Sequence, residues 1–230
     1  MASLSLRTHW FHLSLLVLVL AALLWSGIAP RDRLTWFFET LPAMAALVVL
    51  VLTYVHFRFS ASAYLALATF LVLLAIGGHY TYGEVPGFEQ LQQSLGLSRN
   101  YYDRVVHLAG GITGALVLQE LLEAFSSLRR GFWRGVVIVG LVLGLSAAYE
   151  MVEGLAYAMV GKSAEAFLAI QGDAWDTQWD MALAMLGALV AVAPPWRWLP
   201  ASREVERAGT PGQAGAQREG WRVPQERLEK

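Results

Sequence analysis

The sequence predicts an all-α polytopic membrane protein, a bundle of six transmembrane helices. Of its 230 residues, 56% are hydrophobic and only 15% are charged, against roughly 25% charged in a soluble domain. Mean hydropathy is +0.46. The apolar residues fall in long runs near the ~20 residues that a helix needs to cross a bilayer core. Net charge is −1, from 17 Lys+Arg against 18 Asp+Glu. No global field attracts polyanions, so nucleic acid is excluded as a partner and the lipid bilayer is the expected one. The chain has no cysteine, which excludes disulfides, thiolate nucleophiles and Cys-ligated zinc.

The first span covers residues 11–29. Arg7 before an apolar run and the small residues Gly27 and Ala29 are features of a cleaved leader. Pro30 and the length of the run instead favour a retained helix. The second span, 41–55, is short and is extended by Trp36, Phe37 and Phe38. The third is 61–78, the fourth 101–125 and the fifth 132–160. The sixth, 177–192, is ended by Pro194-Pro195. Residues 1–200 thus form one membrane domain, and 201–230, rich in Arg, Glu, Gln and Gly, read as a disordered cytoplasmic tail. Lys and Arg near the span ends set the orientation. With the N-terminus inside, the cytoplasmic face holds Arg7, Arg58, Arg129, Arg130, Arg134, Arg197, Arg203 and Arg207; the outer face holds Arg31, Arg33, Arg99, Arg104 and Lys162. Both termini are then cytoplasmic, in a bacterial inner membrane.

The polar residues collect at one end. The inner loops are plain, whereas the outer ones read RDRLTWFFE (31–39), HYTYGEVP with SRNYYDRVVH (79–86 and 98–107) and QGDAWDTQWD (171–180). In the fourth span Asp103, His107, Gly110, Gly111 and Gly114 make one helical stripe. Ser146, Glu150, Glu153 and Tyr157 do the same in the fifth, and Asp173, Asp176, Asp180, Ala184 and Gly187 in the sixth. Small residues below let helices approach closely, and ionisable groups above point into the same bundle. Arg134 marks the cytoplasmic edge, so Glu150 lies roughly 24 Å above it and Glu153 roughly 28 Å, at about 1.5 Å per residue. Both fall in the outer leaflet or at its boundary. An ionised group at mid-membrane costs on the order of 3 kcal/mol, so a partner must offset it.

Carboxylate plus imidazole on facing helices is how di-metal carboxylate sites are built in bundles. Asp103, His107, Glu150, Asp176 and Asp180 are the expected metal ligands. The ion is divalent: mixed oxygen and nitrogen donors suit Zn, Mn or Fe, and oxygen donors suit Mg. His79 and Glu153 are candidates for the general base. Arg99 and Arg104 would clamp a substrate anion, and Tyr82 and Glu84 would line a head-group pocket. The plainer alternatives are that Asp173 and Asp176 cap the sixth span, that Asp103 pairs with Arg99 or Arg104, and that Tyr101, Tyr102, Trp175 and Trp179 form an aromatic belt. His9, His12 and His56 lie at the other face as solvated anchors.

WSGIAPRDRLTWFFE, GGHYTYGEVP, SRNYYDRVVH, YEMVE and GDAWDTQWDM, in that order over residues 20–190, resemble the YjdF-like family of bacterial inner-membrane proteins. That resemblance implies a multi-spanning inner-membrane protein and brings no activity, substrate or cofactor with it. A fainter similarity is to the VanZ-like family, whose pattern is an Asp and His on one helix, a Glu on the next and an Asp on the last. Asp103/His107, Glu150 and Asp176 or Asp180 match it in order and type. The leading expectation is an enzyme with an outward-facing metal site, acting on a lipid-linked or envelope substrate by hydrolysis or group transfer. A transporter or proton pathway is the alternative, and a non-catalytic scaffold the third. A conduit needs polar residues through its full depth, and the inner half of these spans is nearly all Leu, Val and Ala.

Overall fold

The computed structural model describes residues 6–160 and 171–193. Expectations that fall on 161–170 and 194–230, including the tail, Pro194-Pro195 and Lys162, lie outside them. Among the described residues the order is α1 (Leu6–Ser26), α2 (Arg33–Thr53), α3 (Ala61–Tyr80), a 3-10 turn (Tyr82–Glu84), α4 (Pro86–Leu95), α5 (Tyr102–Phe125), α6 (Phe132–Val160) and α7 (Asp176–Val192). There are no strands among them. The six expected spans are α1, α2, α3, α5, α6 and α7. Five of them are long and apolar enough to cross a membrane. The sixth, α7, has 17 residues, or roughly 26 Å, a little short of a ~30 Å hydrocarbon core.

Local chemistry sets the helix starts. Asp32 caps α2, its Oδ1 accepting from the Thr35 N–H at 2.6 Å. Ser60 caps α3 by accepting from the Ala63 N–H at 3.2 Å. The outer loop between α3 and the next span holds α4, a helix of ten residues with Pro86 in its first turn and Gly96 ending it at φ 62°. Those are the ordinary start and stop residues of a helix.

Contacts between helix ends establish the alternating topology. The Arg31 N–H donates to the His79 carbonyl at 2.9 Å, so the ends of α1 and α3 meet the start of α2. At the opposite end the Ser60 N–H donates to Glu120 Oε2 at 2.9 Å, joining the start of α3 to the end of α5. Arg134 opens α6 there, donating to the Gln119 carbonyl and, at 3.3 Å, to Glu123. Large apolar side chains such as Leu13, Val17, Val48, Leu52, Leu141 and Leu145 stay exposed along the outside of the bundle, as a lipid-facing surface requires.

Helices α5 and α7 pack most closely, in parallel, through the small residues of both stripes. A methyl group at Gly111 would overlap the Ala184 carbonyl oxygen, and one at Gly187 would overlap the Leu108 carbonyl oxygen. Both obstacles are backbone, so no side-chain rotation relieves them. Gly111→Val is therefore expected to lose about 1–3 kcal/mol of stability through overpacking, read as a lowered thermal midpoint of the full chain in detergent. Gly114→Ala is the control, since its added methyl meets only Val142 Cγ2, at 3.4 Å.

Candidate functional site

The site lies where α2, α5, α6 and α7 meet at the end of the bundle that carries the polar loops. Asn100, fully buried, fixes the entrance. Its Oδ1 accepts from the Tyr102 N–H at 3.0 Å and its Nδ2 donates to the Val85 carbonyl at 3.1 Å. Gln171 pairs with its backbone, accepting from the Asn100 N–H at 2.8 Å and donating to its carbonyl at 3.1 Å. The segment before α7 is thereby tied to the start of α5. Asp103 and His107 follow one turn apart, and the parallel α7 sets Asp176 and Asp180 beside them.

An ion network closes the mouth. Arg99 and Arg104 are 3% and 7% exposed, so neither guanidinium presents itself to solvent. Arg99 binds Asp176 and reaches Asp173 at 3.4 Å and Asp103 at 3.5 Å. Arg104 reaches Asp180 at 2.5 Å, Asp176 at 2.6 Å and Asp173 at 3.1 Å. Asp173 also accepts the Trp175 N–H at 2.9 Å. That bond, with Arg104 and Arg99 beside it, holds its carboxyl below the usual carboxylate value. The pairing expected of Asp103 is with Arg99, at 3.5 Å; Asp173 and Asp176 pair with both arginines, and among the described residues no side chain caps α7.

Deeper in, Asp103, His107 and Asp180 each offer one ligand atom, and these atoms lie within 4.8 Å of one another. His107 Nε2 is 3.4 Å from Asp103 Oδ1, 3.7 Å from Asp180 Oδ1 and 3.9 Å from Glu150 Oε1. Glu150 Oε1 is buried and has no hydrogen-bond partner, although the side chain as a whole is only 6% exposed. Ligand bonds of roughly 2.0–2.6 Å allow ligand atoms up to about 4–5 Å apart, so the group has the dimensions of a cation site. Its donors, an imidazole among carboxylates, could hold a metal ion. Charge points the same way. Among the described residues, Glu39, Asp103, Glu150, Asp176 and Asp180 are buried here with Arg99 and Arg104 as the fixed cations beside them. Even with His107 protonated, five acids face three cations.

Sequence reasoning missed Glu39. It is 2% exposed on α2, hydrogen-bonds Tyr82 and lies within electrostatic reach of Asp103 and His107. The Tyr149 hydroxyl donates to its Oε2 at 3.4 Å. Thr35, Glu39 and Ala43 make a buried stripe at i, i+4 and i+8, a signal obscured by Phe37 and Phe38. Glu153, partly buried, interacts electrostatically with Glu39, Glu150, Asp103 and Asp180.

Three expected residues stand elsewhere. His79 packs on α1, stacked on Trp25 at 4.5 Å between ring centroids and with Nδ1 3.0 Å from the Ser26 carbonyl. Glu84 pairs with Arg31 at the surface. Tyr82 is 3% exposed and is a core residue that touches the site through Glu39. Burial pushes its hydroxyl well above the usual tyrosine pKa.

The profile of a family described as "Predicted membrane protein (DUF2238)" matches residues 11–200. The chain is also similar to the "Inner membrane protein YjdF" of Escherichia coli (strain K12), with 39% identity over 171 residues, 74% of this chain and 81% of that protein. The fainter VanZ-like similarity is not among the matches. No solved structure matches this chain. The chain belongs to the DUF2238 membrane-protein family.

Proposed function

We propose that this member of the DUF2238 membrane-protein family is a metal-dependent enzyme of the bacterial inner membrane. It would hydrolyse, or transfer a group from, a lipid-linked or envelope substrate at the outer face. Both termini would then be cytoplasmic, with the polar end outward. The single observation that carries the reading is the convergence of Asp103, His107 and Asp180, with the unpartnered Oε1 of Glu150 3.9 Å from His107 Nε2. These four would hold the ion, with Asp176 kept out of the set by Arg99 and Arg104. A divalent ion held by these residues would supply Lewis-acid polarisation. Glu153, at the edge of the acid cluster, would serve as the general base. Tyr149 and Tyr82 orient Glu39. Arg99 and Arg104 close the mouth and hold Asp176, and they contact a substrate anion only where it displaces one of their carboxylates.

A proton or ion pathway fits less well. Below His107 the α5–α7 interface consists of Gly111, Ala115, Ala184, Gly187 and Ala188, with backbones in near contact. No ionisable group of that interface bridges the bundle to Glu120 and Glu123 at the far end. The test uses the full chain in nanodiscs, incubated with total envelope lipid extract and a divalent ion. Conversion of a lipid-linked species is read by mass spectrometry. Glu153→Gln is expected to slow it by ~10²–10⁴-fold while leaving bound metal at the wild-type level. Conversion that is equal in wild type, Glu153→Gln and protein-free nanodiscs would overturn the assignment.

A further inference from the structure

At the end of the bundle opposite the acid cluster, a cavity of about 250 Å³ lies among α1, α2 and α3. Its body is apolar, formed by side chains such as Leu16, Val19, Leu47, Leu50 and Leu71. Its floor is buried, Val19 and Leu71 being 3% and 2% exposed. Its sides open laterally, because Leu13 and Val51, which also line it, are 47% and 52% exposed. From His9 at the rim to Val19 at the floor is ten residues of α1, roughly 15 Å, about the depth of one leaflet.

The rim differs in chemistry from the body. His12 Nδ1 lies 2.8 Å from the Tyr54 hydroxyl. The His12 ring packs against Tyr64, with ring centroids 4.6 Å apart. His12 is therefore not the solvated anchor expected of it, but the link that joins the three helices at the mouth. Arg58 lies over the Tyr54 ring, 5.2 Å from its centroid, with its side chain exposed. His9 is exposed at the same rim. Glu120, near this mouth, is taken up by the Ser60 N–H and hydroxyl.

An apolar slot one leaflet deep, open sideways to the bilayer and rimmed by imidazoles and a guanidinium, matches an amphiphile with one chain and an anionic head. We propose that this slot holds one acyl chain of an anionic phospholipid from the adjoining leaflet, with its phosphate at His9, His12 and Arg58. Basic pockets between membrane helices recognise such head groups. The site is independent of the metal chemistry. It lies at the other end of the bundle and shares no residue with that cluster.

The experiment is native mass spectrometry of the full chain, extracted from vesicles of equimolar phosphatidylglycerol and phosphatidylethanolamine with matched chains. Wild type is expected to retain one phosphatidylglycerol, preferred at least fivefold over phosphatidylethanolamine. Leu16→Trp, which fills the slot, is expected to lose at least tenfold of that occupancy. The variant His9→Gln/Arg58→Gln leaves the slot open and is expected to keep a lipid but lose the preference. It carries the test should Leu16→Trp fail to fold, which its thermal midpoint reports. Equal retention by wild type and a folded Leu16→Trp overturns the slot. An unchanged preference in His9→Gln/Arg58→Gln overturns the head-group assignment.

Discussion

Arg104→Ala is expected to destabilise the full chain by about 3–5 kcal/mol, the cost of removing one partner from a buried charge pair. Arg104 is 7% exposed, and it reaches Asp180 at 2.5 Å, Asp176 at 2.6 Å and the Asp176 carbonyl at 3.2 Å. Without it, among the described residues, Asp180 keeps His107 nearby as a cation, and Asp176 keeps Arg99. Both carboxylates are nearly sealed from water, so solvent cannot replace what is lost. Arg104→Lys is expected to restore only part of the stability, since one ammonium does not reproduce a planar fork that touches three carboxylates. The contrast is Arg31→Ala. Arg31 and Glu84 pair with side chains 60% and 48% exposed, and such surface pairs contribute about 0–1 kcal/mol. Thermal unfolding in detergent checks both, and a wild-type midpoint for Arg104→Ala would contradict the network.

The second large effect concerns the ion. A ligand that binds only the folded protein stabilises it by about 4 kcal/mol when present at a thousandfold excess over its dissociation constant. Chelation of the purified protein is therefore expected to lower its thermal midpoint by several degrees, and a divalent ion to restore it. His107→Ala is expected to abolish both responses. Two effects add in that variant. Losing the imidazole removes a ligand, and it also removes a group that offsets Asp103, Asp180 and Glu150. The second effect is expected to leave His107→Ala less stable than chelated wild type. Asp103→Asn removes one of the surplus charges and is expected to be milder in stability, yet equally unresponsive to metal. The ion that restores the midpoint at the lowest concentration identifies the preferred metal, with first-row affinity otherwise rising toward copper.

How far the sequence carried this picture depends on which physical signal each residue left. Asp103 and His107 were legible because a helical stripe of ionisable residues over glycines has one sensible orientation in a bundle. Asp180, Ala184 and Gly187 were legible for the same reason, and Gly111 meets Ala184 as the stripes imply. The alternating loops placed every polar string at one end, and the meeting of Arg31 with His79 and of Arg99 with Asp176 bears that out. The pairing of Arg99 and Arg104 with Asp173, Asp176 and Asp180 was not legible. It joins residues about seventy positions apart, and spacing along one chain cannot reveal which neighbouring helix supplies the partner. Free arginines at head-group level and paired arginines in a buried network have the same sequence. Glu39 escaped notice because Phe37 and Phe38 made its segment read as the start of an apolar span. His79 was grouped with the site because it shares the same end of the bundle, but α3 turns it toward Trp25 and Ser26 on α1. A helix in the outer loop announced itself through Pro86 and Gly96, yet ten residues are too few for periodicity to prevail over the loop reading.

Elemental analysis of full-length protein, purified without chelator and dialysed against the candidate divalent ions, tests the central claim most directly. One ion per chain is expected in wild type. Less than a tenth of that is expected in His107→Ala and in Asp180→Ala, with Glu153→Gln and Arg31→Ala remaining at one. A wild-type protein with no bound ion, or a content that His107→Ala and Asp180→Ala leave untouched, would contradict a metal site at Asp103, His107, Glu150 and Asp180.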